Sequence, residues 1–534
     1  MRLRARPLFA VGAACALVVA GSACGAPTSG PTDSLVLADA YELGGYNPVA
    51  GYGAAGEAKV YDGLLRLTGS AGLPGFAPAL ATALPTPNAD ATVWTAPLRP
   101  GVRFSDGSEF DAADVVATYR AILDPASASE ARSSFSMIER VEAVDPASVR
   151  FTLRHPYAAF HTKLLIGIVP SESVATPGPA TASPLNTAPI GTGPYRLTSL
   201  EPTRAVFAAN ENYWGGAPAV KRLTLLHVPD DNTRAQRMAG GELDGTSLPP
   251  LLAATFDGKP SISVRSSTSA DWRGVSMPAG DRVAGDPAVR LALNYAVDRQ
   301  SMIDNILGGY GRPAYTPLPA VYGESHNPAA TFTFDRARAE RILDDAGWRA
   351  GADGIRAKDG VRARFTVMYN STDTLRRDLA LAFASDARRV GVEVDLEALS
   401  WDRIEPRIGQ AGILLGGGAE PFDPDTQVYG TLHSPSADPG ASSPYDNASR
   451  HTDPAIDSLL DRARRSTDPA VRAGAYREVQ SRYVQDPSHV FLVHLDHTYV
   501  LKESGWASSG RILEPHAHGV TWGPWWSLHT WTRR

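Results

Sequence analysis

Apolar and polar residues alternate along the chain in two rhythms, one typical of strands and one typical of helices. Residues 34–38 form a short run that favours a strand, and residues 93–98 and 149–153 alternate with a period of two. Asp111 is followed at helical spacing by four apolar residues: Val115, Val116, Tyr119 and Ile122. Asp111 would cap this helix, and Asp114 would lie near its free N–H groups. Strands and helices that alternate in this way predict a mixed α/β fold.

Two further helices have clear start signals. Asp286 and Pro287 are a capping residue and a first-turn proline, and apolar residues then recur at helical spacing. Asp335 begins the second helix, which Gly347 is expected to end. Stretches rich in proline and serine, at residues 170–186 and 433–449, predict surface loops.

The first residues have the pattern of an export signal. Three arginines precede an apolar run at residues 8–20, which is too short to span ~30 Å of hydrocarbon stably. Small residues then lead to Cys24 and resemble a lipobox, although Gly21 stands where an aliphatic residue is usual. We expect a signal peptide over residues 1–23, then a lipidated Cys24 and a tether over residues 24–33. Plain secretion is the alternative.

Composition narrows the class of protein. The 51 basic and 57 acidic residues give a net charge of −6, and no basic run occurs, so we expect no nucleic-acid partner. The two cysteines, Cys15 and Cys24, both lie in the signal region, so the mature chain needs no disulfide and no thiolate metal site. After cleavage about 510 residues remain, which is enough for two or three domains.

Seven short blocks, in a fixed order, point to one family. They are VYDGLL at 60–65, PALA at 78–81, LRPGVRFSDG at 98–107 leading into DAADVV at 111–116, PIGTGPY at 189–195, NENYW at 210–214, GELD at 241–244 and VRLALNYAVDR at 289–299. With these blocks the chain resembles the extracytoplasmic solute-binding proteins of family 5, the dipeptide, oligopeptide and nickel receptors of ABC importers.

The resemblance implies an α/β clamshell of the type II periplasmic-binding-protein class, with an extra subdomain inserted in lobe one. Lobe one would comprise residues 34–74, 189–271 and 495–534, with residues 75–188 as the insertion, and lobe two would comprise residues 272–494. Chain crossings near residues 271 and 495 would form the hinge. We expect a monomer that binds its ligand between the lobes, works with an ABC permease and stays anchored to the outer face of the cell membrane.

A peptide ligand needs an anionic partner for its ammonium group, because burying that charge alone is costly. In the family's peptide receptors an aspartate in a Gly-rich strand end, before a D-P-D-like turn, has this role. The matching stretch here implies Glu420 as the anchor, with Asp423 as the rival, and contacts from Gly417, Gly418 and Ala419.

Softer contacts are implied elsewhere, from Tyr46, Asn47, Trp272, Tyr369 and Asn370. The dipeptide receptor holds the ligand carboxylate with an arginine in the stretch that corresponds to residues 368–373. No arginine occurs there, and Arg376 and Arg377 match helix positions instead. We therefore expect oligopeptides rather than dipeptides.

Histidine pairs leave a second type of ligand open. His494 and His497, or His516 and His518, have spacings that could hold a metal or haem iron, and the family includes nickel and haem receptors. Residues 490–494 are predicted to be a buried strand, on which His494 and His497 would point to opposite faces. We predict neither a metal site nor a cofactor.

A secreted hydrolase is the alternative from a different class. The sequence contains no G-x-S-x-G, S-x-x-K or H-E-x-x-H motif, so we expect a binding protein and not an enzyme. A sugar receptor of the same family would need stacked aromatic residues, and Trp522, Trp525 and Trp526 cluster near the C-terminus.

Overall fold

The computed structural model describes residues 33–70, 72–435, 443–503, 505–507, 510–516 and 519–534. The predicted signal peptide, Cys24 and the tether up to residue 32 lie outside the described residues. So do His518 and residues 436–442 of the loop predicted at 433–449. The predictions that concern these residues stay predictions.

The described residues contain eleven α-helices. They are α1 Ala112–Leu123, α2 Asp231–Ala239, α3 Pro250–Ala253, α4 Pro287–Ala296, α5 Arg299–Asn305, α6 Arg336–Asp345, α7 Thr374–Arg389, α8 Trp401–Ile404, α9 Pro424–Leu432, α10 Pro454–Arg465 and α11 Pro469–Tyr483. Within the described part of the chain, none of the helices combines the length and the apolar character that crossing a membrane requires.

Twenty-two strands occur in the same residues. They are β1 Ser34–Asp39, β2 Leu65–Leu67, β3 Phe76–Pro78, β4 Thr86–Pro87, β5 Val93–Pro97, β6 Ile138–Asp145, β7 Ser148–Leu153, β8 Tyr195–Glu201, β9 Arg204–Ala209, β10 Arg222–His227, β11 Gly245–Ser247, β12 Ile262–Ser276, β13 Gly311–Pro313, β14 Arg349–Ala350, β15 Arg356–Lys358, β16 Val361–Arg362, β17 Arg364–Asn370, β18 Glu393–Leu399, β19 Gly412–Gly417, β20 His489–Lys502, β21 Trp506–Ala507 and β22 Thr532–Arg533.

One large sheet runs through the described residues, in the order β18-β17-β19-β12-β20-β11-β1-β10-β9-β8, with β13 also paired to β20. β17, β18 and β19 are parallel at one end, and β1 is parallel to β10 and β11 further along. A separate antiparallel sheet, β4-β5-β7-β6, packs with α1. This mixture of helices and parallel and antiparallel strands confirms the predicted α/β class.

The two longest strands, β12 and β20, connect the two ends of the large sheet. β12 pairs with β20 along most of its length, but the register shifts between Thr268 and Trp272. Beyond the shift β12 also pairs with β19, and near the other end β20 pairs with β11. The irregularity lets the sheet change direction at this point, as bulges commonly do.

Two large hydrophobic cores lie on either side of this irregularity. The first contains Leu37, Tyr119, Phe151 and Trp525, and we call the surrounding structure the first lobe. The second contains Val275, Leu293, Phe383 and Phe491, and we call its surroundings the second lobe. A smaller core under α2 and α3 covers β1 and β20. The exact domain boundaries given above stay predictions.

The capping residues predicted from sequence are confirmed at three helices. Asp111 accepts a hydrogen bond from the Ala113 N–H, and the Asp114 carboxylate accepts one from the Asp111 N–H at 2.9 Å, which closes a capping box on α1. Asp286 caps α4 and Asp335 caps α6. Gly347 follows α6 with φ of 89°, a left-handed conformation that glycine adopts without strain.

Candidate functional site

The glycines at the end of β19 make room for large side chains. In the pairing of β12 with β19, Trp272 lies opposite Gly417 and Arg273 lies opposite Gly416. A Cβ atom on Gly417 would overlap the Trp272 indole, and one on Gly416 would overlap the His516 ring. Gly418 has φ of 99°. The sequence therefore needs glycine here because β19 is packed closely by its own protein, whatever ligand also approaches.

Glu420 follows this strand end and forms an ion pair between the lobes. Its Oε2 lies 2.5 Å from Nζ of Lys163, and the two side chains are 16% and 4% exposed. Lys163 belongs to a short 3-10 helix, Phe160–Leu164, in the first lobe. Its carbonyl accepts a hydrogen bond from the Tyr119 hydroxyl, and its ammonium lies 5.7 Å from the centre of the Phe135 ring. Glu420 thus already binds a primary ammonium at the surface where the lobes meet.

Asp423, the rival anchor, is occupied within the second lobe. Its carboxylate caps α9 by accepting the Asp425 N–H at 2.8 Å, and it forms an ion pair with Arg472. Asp425 is held by Arg464 at 2.9 Å. Burial raises the pKa of Asp423, although Arg472 opposes that effect. Of the two acids that the sequence left open, Asp423 is paired within its own lobe, whereas Glu420 is paired with a residue of the other lobe. Which of them is the anchor stays a prediction.

The softer contacts from the first lobe are mainly structural. The Asn47 side chain accepts a hydrogen bond from the Val49 N–H and donates one to the Ala180 carbonyl, which shapes its own turn. The Tyr46 ring packs edge-on against Tyr52 and Phe207, at 5.2 and 5.7 Å between ring centres. Its hydroxyl has no hydrogen-bond partner among the described residues.

The two residues of β17 that were expected to contact a ligand, Tyr369 and Asn370, also make contacts within the protein. Asn370 ends the strand, and its side-chain oxygen accepts hydrogen bonds from the N–H and the hydroxyl of Thr372. Tyr369 is half-buried and packs against the second core. Ala419 is exposed in the turn before Glu420.

A cluster of charged side chains lies at the lobe junction; of its members the sequence singled out His497 and His516, as potential ligands of a metal or haem iron, but not Asp271, Arg273 or Glu514. Asp271, just inside the irregular part of β12, pairs with Arg273 and accepts hydrogen bonds from His497 and His516. The other ring nitrogen of His497 donates to Glu514 at 2.8 Å. Asp271 is 226 residues from His497 and 245 residues from His516 in the sequence, so no local pattern could have indicated that these side chains meet.

Electrostatics explain how this cluster stays buried. Burial alone would lower the pKa of His497, but its hydrogen bonds to Asp271 and Glu514 raise it to about 9, so the ring is a cation at neutral pH. Burial opposes ionisation of Asp271, yet Arg273 and the two histidines hold its pKa well below the usual range. His494, three residues from His497, has the opposite state, because burial lowers its pKa to about 3.

Comparison with known proteins identifies the chain. The family model of the bacterial extracellular solute-binding proteins, family 5 (middle), matches residues 75–439. The chain belongs to this family. Protein XP55 of Streptomyces lividans is 44% identical over 508 residues, which are 94% of this chain and 92% of XP55. The family 5 resemblance read from the sequence is therefore confirmed, and with it the role of solute-binding component of an ABC importer.

Two further family 5 comparisons concern fold and ligand. NikZ from Campylobacter jejuni, solved in complex with Ni(L-His), superposes with a TM-score of 0.83 at 28% identity, covering 94% of this chain and all of NikZ. The oligopeptide-binding protein AppA of Bacillus subtilis is 25% identical over 317 residues, 58% of each chain. The superposition confirms the two-lobe periplasmic-binding-protein-like fold of type II.

Several buried polar atoms of this family 5 protein have no hydrogen-bond partner in the part of the chain that the structure describes. Among the described residues they include Glu57 Oε2 and Tyr61 Oη in the first lobe and Trp272 Nε1 in the second. Burial raises the pKa of Glu57, Lys59 opposes this, and the charge of Glu420 adds to it. Because an unsatisfied buried polar group is costly, Glu57, on which Glu420 of the other lobe acts, is the one of these three that points to a further partner near Glu420.

The two lobes are in direct contact. The N–H of Ala158 in the first lobe donates to the carbonyl of Arg464 in the second at 3.1 Å. The Arg464 guanidinium lies 5.4 Å from the centre of the Tyr157 ring, and Phe422 lies 6.3 Å from Trp522 across the junction. These contacts, the Lys163–Glu420 pair and the charged cluster around Asp271 surround one region between the lobes. We call this region the cleft.

Proposed function

We propose that this family 5 protein captures peptides with a free amino terminus and delivers them to the permease of an ABC importer. The observation that carries the proposal is the ion pair of Glu420, whose carboxylate faces the other lobe and binds a primary ammonium at 2.5 Å. A peptide α-ammonium has the same charge and the same hydrogen-bond donors. The relationship to the oligopeptide-binding protein AppA supports the same ligand class.

Peptides longer than a dipeptide fit the cleft better. A dipeptide receptor needs a cation close to the ammonium anchor to hold the ligand carboxylate. Arg376, the first arginine after β17, is paired with Asp373 at 2.7 Å and faces the His516 ring at 3.4 Å. An arginine that already has a carboxylate partner contributes less to a ligand carboxylate, so the carboxyl terminus of a longer peptide would be met elsewhere.

Calorimetry with paired peptides tests the proposal. Free peptides of four to six residues should bind the wild type, whereas their N-acetylated forms should bind at least about thirty-fold more weakly, roughly 2 kcal/mol, since they lack the buried positive charge. Glu420→Gln should weaken the free peptides by a similar factor. Glu211→Gln is the matched control, because Glu211 forms an exposed pair with Lys221 away from the cleft. Equal affinity for free and acetylated peptides would remove the ammonium anchor from the account.

A complex of nickel with an amino acid is the second candidate ligand. NikZ, solved with Ni(L-His), is similar over nearly the whole chain. In addition, two arginines approach the His516 ring beside Gly416. Nη1 of Arg273 lies 3.1 Å from Nδ1 of the ring, and Nη2 of Arg376 lies 3.4 Å from its Nε2. Each arginine already has a carboxylate partner, Asp271 for Arg273 and Asp373 for Arg376, which the carboxylate of an amino-acid chelate would have to displace. The mass of a co-purified ligand separates this candidate from a peptide.

The finer points of location are also proposals. The pattern from Arg2 to Cys24 supports export and lipidation, so we propose that the mature chain starts at Cys24 and is anchored, as a monomer, to the outer face of the cell membrane. We also propose that it binds without chemical turnover. The intact mass of protein extracted from membranes would show acyl chains on Cys24, and an unmodified chain cut elsewhere would contradict lipidation.

A further inference from the structure

We propose that Lys163 is an internal substitute for the ligand's ammonium. The Lys163 ammonium pairs with Glu420 and so stabilises the contact between the lobes, until the amine of a peptide displaces Lys163 from Glu420. The inference rests on the proposed function of Glu420 and adds a residue that determines how tightly the cleft binds. It is carried by an ion pair that joins the lobes at the position of the anchor itself.

The position of Lys163 is fixed by its surroundings. The 3-10 helix that carries it is held by the Tyr119 hydroxyl, which donates to the Lys163 carbonyl at 2.8 Å. The side chain is only 4% exposed, and its ammonium lies between Glu420, at 2.5 Å, and the Phe135 ring, whose centre is 5.7 Å away. Lysine is a flexible chain with a point charge, so the ammonium can leave the carboxylate while the backbone stays in place.

Glu57 is a second acidic side chain on which the charge of Glu420 acts. Glu57 of the first lobe lies close enough for the charge of Glu420 to affect it, and its Oε2 is buried without a partner among the described residues. Lys59 also acts on Glu57, but the Lys59 ammonium donates to the carbonyls of Thr521 and Trp526. Glu57 Oε2 therefore remains available as a hydrogen-bond acceptor for a ligand ammonium at Glu420.

The consequence is competition within the protein. Without ligand, the Lys163–Glu420 pair favours the contact between the lobes and hides the anchor, so only a fraction of molecules is ready to bind. A ligand amine must replace Lys163 at Glu420. The apparent affinity for the ligand is therefore the intrinsic affinity multiplied by the fraction of molecules in which Glu420 is free.

Lys163→Met tests this directly, because methionine keeps the apolar stem and removes the charge. Free peptides should bind this variant about ten-fold more tightly than they bind the wild type, as expected when a competing internal group is removed. Lys221→Met is the matched control, since Lys221 forms an exposed pair with Glu211, and it should leave affinity unchanged. Unchanged or weaker binding by Lys163→Met would overturn the proposal; weaker binding would instead make Lys163 a ligand contact.

A second measurement does not depend on the ligand. Small-angle scattering of the ligand-free protein should show a larger radius of gyration for Lys163→Met than for wild type and Lys221→Met, because the pair between the lobes is lost. An unchanged radius would contradict the role in closure. Glu420→Gln should open the protein in the same way, so the test remains decisive if one variant fails to fold. If no peptide binds the wild type, the proposed function fails, while scattering still decides the role of Lys163.

Discussion

At the scale of single residues, the charges in and around the cleft largely neutralise each other inside the protein. Asp271 is shared by Arg273, His497 and His516, Asp423 is taken by Arg472, and Glu420 is taken by Lys163. Buried pairs of this kind add little net stability, because desolvation offsets much of their attraction. Removing one partner is costly, however, so each pair is a sensitive point for mutation.

His497 gives the protein a stability that depends on pH. Its folded pKa is about 9 against 6.5 in the unfolded chain, so its contribution is complete below pH 6.5 and is lost as the pH rises through 9. Lys59 acts in the opposite direction, because burial lowers its pKa to about 7. A variant is therefore needed to isolate the histidine.

We expect His497→Gln to lower the free energy of unfolding by roughly 3 kcal/mol at pH 6, from the pKa difference, and by much less above pH 9. Urea unfolding of wild type and variant at pH 6 and pH 9.5 measures the two differences. A difference that stays the same at both pH values would contradict a charged, buried His497.

At the scale of elements, strands and helix starts were predictable because their signals are local. Caps such as Asp286 before Pro287 act within a few residues, and β1, β5 and β7 show their burial in their own sequence. The roles of the glycines in β19 were not predictable. They depend on Trp272 and His516, which reach them from distant parts of the chain.

Substitution of Asp423, which caps α9, shows whether this acid stabilises the fold or binds the ligand. Asp423→Ala removes the helix cap and leaves Arg472 buried without its counter-ion, so we expect a loss of about 3 kcal/mol in the free energy of unfolding and little change in peptide affinity. Asp423→Asn is the matched control, because asparagine still caps a helix, and it should lose less. Thermal unfolding and calorimetry together check this. Normal stability with strongly weakened peptide binding would make Asp423 the anchor instead of Glu420.

At the scale of the whole molecule, the C-terminal segment contributes to both large cores. Beside β12 and β20, the C-terminal segment places Ile512 in the first core and Leu513 in the second. The N–H of His516 then donates to the Gly418 carbonyl at 2.8 Å. This segment therefore contacts both cores and the end of β19, just before Glu420.

The two-lobe fold followed from the family blocks, because these specify turns and core positions over most of the chain. The contacts that close the cleft could not be predicted in the same way. Lys163 and Glu420 are 257 residues apart, and neither lies in one of the seven blocks. Side-chain pairs between lobes depend on three-dimensional placement, which one sequence without relatives does not contain.

The central claim is that the cleft holds a peptide, and native mass spectrometry of protein purified without unfolding tests it most directly. The account predicts a bound mass that matches one or more peptides with free amino termini and that disappears after unfolding and refolding. A bound mass that matches a nickel–amino-acid complex, haem or a sugar would contradict it.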